Sequence, residues 1–159
     1  MKALRELQEI AIREALDEIV GADVLIATAL RALLEGVDSP SLPLLAGLSR
    51  REEGEAHDLF RAVTAELAIA PPSPTDTPAE RWHLVRWLCE AIADGTADPG
   101  LAGRLIWYRG WDELGRPDSL RPLMSWVSQW DDWNPAWDVE RRHLRERIVE
   151  GARRFLEGP

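Results

Sequence analysis

Cysteine and lysine are nearly missing from this chain, which has one of each, Cys89 and Lys2. A lone cysteine excludes an internal disulfide and the multi-cysteine zinc sites, and it fits a reducing compartment. Long apolar runs are missing too. The longest, Val24 to Leu30 with Thr28 inside it, is far too short to span a bilayer. The N-terminal residues carry charges every few positions, unlike a signal peptide, so a cytoplasmic protein is expected. No stretch alternates with period two for a strand's length. The glycines are scattered at turns and segment ends, and none forms a phosphate-cradling loop. Positive charge is in deficit, with a net charge of −9 and a pI near 4.9. Phosphate backbones and anionic membranes are repelled by such a chain, so neither nucleic acid nor membrane is expected as a partner. The arginines, which supply nearly all the positive charge, fit the coding bias of a GC-rich genome and are given no functional weight.

What is present is helical periodicity, in a chain of 159 residues that is 45% apolar. Residues 3–20 carry Leu4, Leu7, Ala11, Ala15 and Ile19 on one stripe, and Gly21 breaks the pattern. Residues 24–35 are apolar almost all round, which predicts a helix in the middle of a bundle with Leu30 and Leu33 in its core. Asp38-Ser39-Pro40 predicts a short helix with Pro40 at an early position. Ser49-Arg50-Arg51-Glu52 and Thr77-Pro78-Ala79-Glu80 read as capping boxes for the next two. Asp98-Pro99 opens a sixth helix that stops near Gly115, Asp118 caps a seventh, and the last is expected over about 138–156. The fold class is therefore all-α, a compact bundle of about seven to eight helices in a single domain, 1–159. A proline-rich linker at 71–77 joins halves 1–70 and 78–157. The halves share an echo at an offset of 59, Ala32-Leu33-Leu34-Glu35-Gly36 against Ala91-Ile92-Ala93-Asp94-Gly95. It marks either a duplicated helical hairpin or the common use of glycine to end a helix.

The tryptophans are the most concentrated feature. Of eight, six lie between Trp107 and Trp137, and Trp82 and Trp87 stand just upstream. Over residues 82–156, LCEAIADGTADPGLAGRLIWYRGWDEL followed by a Trp/Asp-rich turn and an Arg-rich final helix resembles small uncharacterised cytosolic helical proteins of actinobacterial type. The Gly/Pro hairpin is also loosely similar to colicin D-type immunity proteins. That likeness implies an acidic helical bundle that blocks a nuclease toxin, and it brings no catalytic residue.

Candidate chemistry is sparse. Glu80-x-x-His83 and Glu140-x-x-His143 have the spacing of half a di-iron carboxylate site. At about 100° per residue, however, both histidines fall outside the apolar arcs of their helices, and Glu80 is already used by its capping box. His57, with Glu53 one turn before it, reads as a solvated histidine. Cys89 lies on an apolar arc as an inert thiol. No catalytic residue, metal or cofactor is expected.

The rings divide by helical phase. Trp126 and Trp130 share an arc with Leu120, Leu123 and Val127 and are expected in the core. In the sixth helix Leu101, Leu105 and Tyr108 mark the inward face, which leaves Trp107 outside it. Trp87 also projects from a polar side, and Trp133 and Trp137 flank a proline turn. With Asp131 and Asp132, these four tryptophans form the candidate partner-binding surface, suited to a basic protein. The leading expectation is a non-enzymatic, acidic protein-binding module, with a toxin-neutralising immunity protein as its most concrete form. The alternative is a bundle that holds a metal or small ligand, either as a di-metal carboxylate enzyme or carrier or between its Trp-rich helices.

Overall fold

The structure, a computed structural model, describes residues 2–73 and 77–158, so part of the expected linker, at 74–76, lies outside the described residues. The described residues form eight α-helices and no strand. The helices are α1 (Lys2–Ala15), α2 (Ala22–Leu34), α3 (Leu42–Ala46), α4 (Glu53–Glu66), α5 (Pro78–Ala93), α6 (Pro99–Ile106), α7 (Arg121–Asp131) and α8 (Arg141–Glu157). A π-helical turn, Trp107–Trp111, extends α6, and a 3-10 turn, Asp118–Leu120, leads into α7. None of these helices is long and apolar enough to cross a membrane. The chain forms two compact units, Met1–Ala70 and Pro71–Pro159.

In the first unit, α1 to α4 enclose a core of Leu7, Leu25, Leu42, Leu45, Phe60 and Val63. α1 ends sooner than its apolar stripe suggests. Asp17 takes φ 64°, and the Glu18 N–H closes onto the Arg13 carbonyl at 3.0 Å. Aspartate is among the few non-glycine residues that enter this left-handed region readily. Ile19, expected on the buried stripe, therefore falls in the connection and is 92% exposed. α2 departs further from expectation. It buries Ala22, Leu25, Thr28, Ala29 and Ala32 and turns Leu30 (50% exposed) and Leu34 (80%) to solvent. Leu33 is only half-buried. Small residues let α2 approach its neighbours closely around Leu25, and Leu30 and Leu34 are left outside.

Carboxylates from one helix satisfy the open N-terminus of another in this unit. Glu35 accepts from the Ala3 N–H at 2.8 Å, and Glu53 accepts from the Ala22 N–H at 3.1 Å. Glu66 accepts from the Ser39 and Ser41 hydroxyls and from the Ser41 N–H, pinning the α2–α3 connection to α4. The Ser49 box closes in part: the Ser49 N–H donates to Glu52, but α4 begins only at Glu53. Pro40 sits ahead of α3, and Pro43 occupies that helix's first turn.

The second unit is built around Trp130, which is 4% exposed. α6 comes close to it because Gly100 has no side chain: a Cβ there would overlap the indole. The guanidinium of Arg141 lies 4.2 Å from the ring centroid, with those of Arg104 and Arg145 at 5.4 and 5.7 Å. Asp98 links two helices, accepting from the Leu101 N–H to cap α6 and pairing with Arg145 of α8. Thr77 caps α5 as expected, its hydroxyl accepting from the Glu80 N–H at 3.3 Å and donating to the Glu80 carboxylate at 2.7 Å. The echo between Gly36 and Gly95 is a shared way of ending a helix. Both take positive φ (89° and 76°), and the next N–H reaches back to Ala32 or Ala91.

Candidate functional site

The second unit carries a cavity of about 650 Å³, within the usual range of small-molecule sites, about 300–1,000 Å³. α5 supplies Trp82 and, one turn on, Arg86. The start of α7 supplies Leu123 and Trp126, and α8 supplies Arg147, Glu150, Arg154 and Phe155. The spacing on α8 explains the convergence, because residues 147, 150/151, 154 and 155 share one face of a helix. Gly151 sits in that face, where an added Cβ would meet Leu123 at 3.2 Å, so α8 lies close to the start of α7. Trp82 and Phe155 stack, with centroids 6.1 Å apart and planes 8° from parallel. Trp126 adds a third aromatic wall and carries the Arg147 guanidinium 5.7 Å from its ring centroid.

The rim is basic. Among the described residues, three arginines line the cavity against a single carboxylate, Glu150. Glu150 accepts from Arg154 at 2.8 Å and from Arg147 at 3.4 Å, so one carboxylate bridges two guanidiniums. Arg86 forms no ion pair with the described residues. Elsewhere on α5, burial pushes the thiol of Cys89 up to about 12, opposed by the nearby charge of Arg86. Cys89 is fully buried and protonated at neutral pH, as its place on the apolar arc of α5 suggests.

The sequence reading did not find this cavity. It placed Trp126 in the core, whereas the ring is a half-buried wall. It gave Trp82 and the arginines no role. One signal was legible: Arg147, Glu150, Arg154 and Phe155 recur at helical spacing, with Trp82 and Arg86 one turn apart on α5.

The residues predicted for partner binding lie elsewhere in the unit. Trp107, Asp131 and Asp132 line one recess of about 160 Å³, together with Arg104, Tyr108 and Val127. The π-helical turn sets this arrangement. The Asp112 N–H bonds to the Trp107 carbonyl, five residues back, and the wider turn rotates the residues that follow. Tyr108, expected to face inward, is thereby exposed, while Trp111 is buried with its ring 4.6 Å from that of Trp107. Asp131 is engaged by Arg104. Trp133 fastens the α7–α8 connection, its indole N–H donating to the Val139 carbonyl at 2.8 Å. Trp137, on the same connection, is 45% exposed. Trp87 is half-buried on α5 and lines neither cavity. His83 and His143 are both exposed, and no group of three or more metal-ligating side chains occurs among the described residues. His57 lies between Glu14, at 3.1 Å, and Glu53, at 3.6 Å. Comparison of the chain with protein-family models, with curated proteins and with solved structures returns no match.

Proposed function

We propose that the second unit is a binding module for a small organic molecule, held in the cavity between α5, α7 and α8. The observation that carries this reading is the wall itself: Trp82, Trp126 and Phe155 on three helices around one space of about 650 Å³. Aromatic rings left half-buried around a cavity gain further burial when a ligand covers them. The lining favours binding over catalysis. Its ionisable side chains are three guanidiniums, which do not give up a proton near neutral pH, and one carboxylate already held between two of them. The test is a titration with N-phenyl-1-naphthylamine, an uncharged probe that fluoresces when it leaves water. Saturable binding of one probe per chain is expected, weakened at least tenfold by Phe155→Ala in a variant whose helical circular dichroism is unchanged. Absence of saturable binding by any amphipathic probe would remove this reading.

A second reading, an acidic module for a basic protein partner such as a toxin blocked by an immunity protein, is favoured by a separate observation. Trp107, Tyr108, Asp131 and Asp132 meet at one recess, with apolar and negative surface side by side. If that recess anchors a partner, charge reversal at Asp132 should slow association and weaken its salt dependence, leaving probe binding in the larger cavity unchanged. A partner captured equally well by Asp132→Lys and Trp107→Ala variants would exclude the recess as its anchor.

A further inference from the structure

We infer that the molecule held between α5, α7 and α8 is an organic anion, a carboxylate, sulfonate or phosphate on an apolar body, and that Glu150 is the internal counter-ion it displaces. This rests on the small-molecule reading of the same cavity and adds the charge of its ligand. Three observations converge on it. In a chain of net charge −9, the lining of this cavity holds three arginines and one glutamate. Among the described residues Arg86 enters from α5 with no carboxylate partner of its own, whereas Arg147 and Arg154 share one. Two of these guanidiniums are placed in advance, Arg147 over the Trp126 ring and both Arg147 and Arg154 on the Glu150 carboxylate.

A planar guanidinium offers parallel N–H donors that match the oxygens of a carboxylate, sulfonate or phosphate. Within the protein Glu150 plays that part. Its side chain is 46% exposed, and its partners are 58% and 76% exposed. Ion pairs this wet are worth little, so an incoming anion that also covers the aromatic wall can take Glu150's place at small cost. The exchange leaves the guanidiniums paired and releases Glu150 to water. A neutral ligand of the same shape finds the wall but gains nothing from the rim.

The test compares two probes with one aromatic frame, 8-anilinonaphthalene-1-sulfonate and uncharged N-phenyl-1-naphthylamine, by calorimetry and fluorescence. The sulfonate is expected to bind about tenfold more tightly at low salt and to lose that advantage as salt rises. Glu150→Gln should tighten the sulfonate by roughly threefold and change the neutral probe by less, since the amide keeps the shape of the side chain and removes its charge. Arg154→Glu, at an exposed position that the fold tolerates, should weaken only the sulfonate. Equal affinity for the two probes, or sulfonate binding indifferent to both Glu150 and Arg154, overturns the anion while leaving the cavity a ligand site. Failure of both probes to bind removes the ligand site as well, so the two failures are distinct.

Discussion

The two units solve the same packing problem with different materials. The first holds seven basic against thirteen acidic residues, no tryptophan and one aromatic ring, Phe60; the second holds twelve against fifteen and all eight tryptophans. In the first, carboxylates do structural work at close range, with Glu35, Glu53 and Glu66 each accepting from the backbone or a serine of another segment. In the second, arginines do it by lying on rings, three around Trp130 and one on Trp126. The difference matters for function. A glutamate that caps a neighbouring helix is committed to the fold. Flat rings joined by long, solvated guanidiniums leave a space with charge at its mouth, which is the cavity between α5, α7 and α8.

The sharpest way to break this comparison is to remove the ring at the centre of the second unit. Trp130→Ala deletes a buried indole against which Gly100 and three guanidiniums are set, and it should cost about 3–5 kcal/mol in denaturant unfolding. Trp137→Ala, on the α7–α8 connection and 45% exposed, should cost under about 1 kcal/mol. Equal losses would mean that the α7–α8 connection, not the ring, holds the unit together.

A middle-sized effect sharpens the account of the first unit. Leu25→Ala, fully buried on α2, should cost about 2–5 kcal/mol. Leu34→Ala, on the outer face of the same helix, should change stability by less than about 0.5 kcal/mol. A large loss at Leu34 would show that the outer face of α2 is covered in solution. The same pair marks how far the sequence could be read. Helix positions follow from periodicity, and the ends of α2 and α5 from Gly36 and Gly95. Depth within the unit does not. On a helix that is apolar all round, Ala29 and Leu30 look alike to periodicity, and only packing distance decides that the small side chain faces in.

The functional surfaces divide in the same way. Helical phase placed Trp107 outside the apolar arc of its helix, but its meeting with Asp131 and Asp132 at one recess was not legible, because they lie on different helices. Tyr108 was misplaced because the π-helical turn adds a residue to the turn, and nothing in WYRGW announces it. The larger cavity was out of reach for another reason. Its walls come from α5, α7 and α8, and no spacing along the chain reports how far apart three helices will settle.

The smallest effect tests whether the carboxylates of the first unit are indeed at work in the fold. The hydroxyls of Ser39 and Ser41 and the Ser41 N–H all donate to Glu66, which holds its carboxyl below the usual value of 4.5. Since the folded state favours the ionised form, folding gains from Glu66 at any pH above that usual value. As pH falls through the lower folded value, the carboxylate is protonated and the gain disappears. Glu66→Gln keeps an acceptor but removes the charge, so it should lower the unfolding midpoint by a small, constant amount at neutral pH. The difference from the wild-type chain should then shrink towards the remaining cost of the amide as the solution is acidified below pH 4.5. Mutating both serines to alanine should lower the midpoint in the same pH range, because the donors are lost while the acceptor remains. A gap that stays constant down to about pH 3 would show that these three donors do not favour the anion. The α2–α3 connection would then be held by the packing of Leu42 and Leu45, and the contrast between a unit tied by carboxylates and one tied by arginines on rings would rest on Glu35 and Glu53 alone.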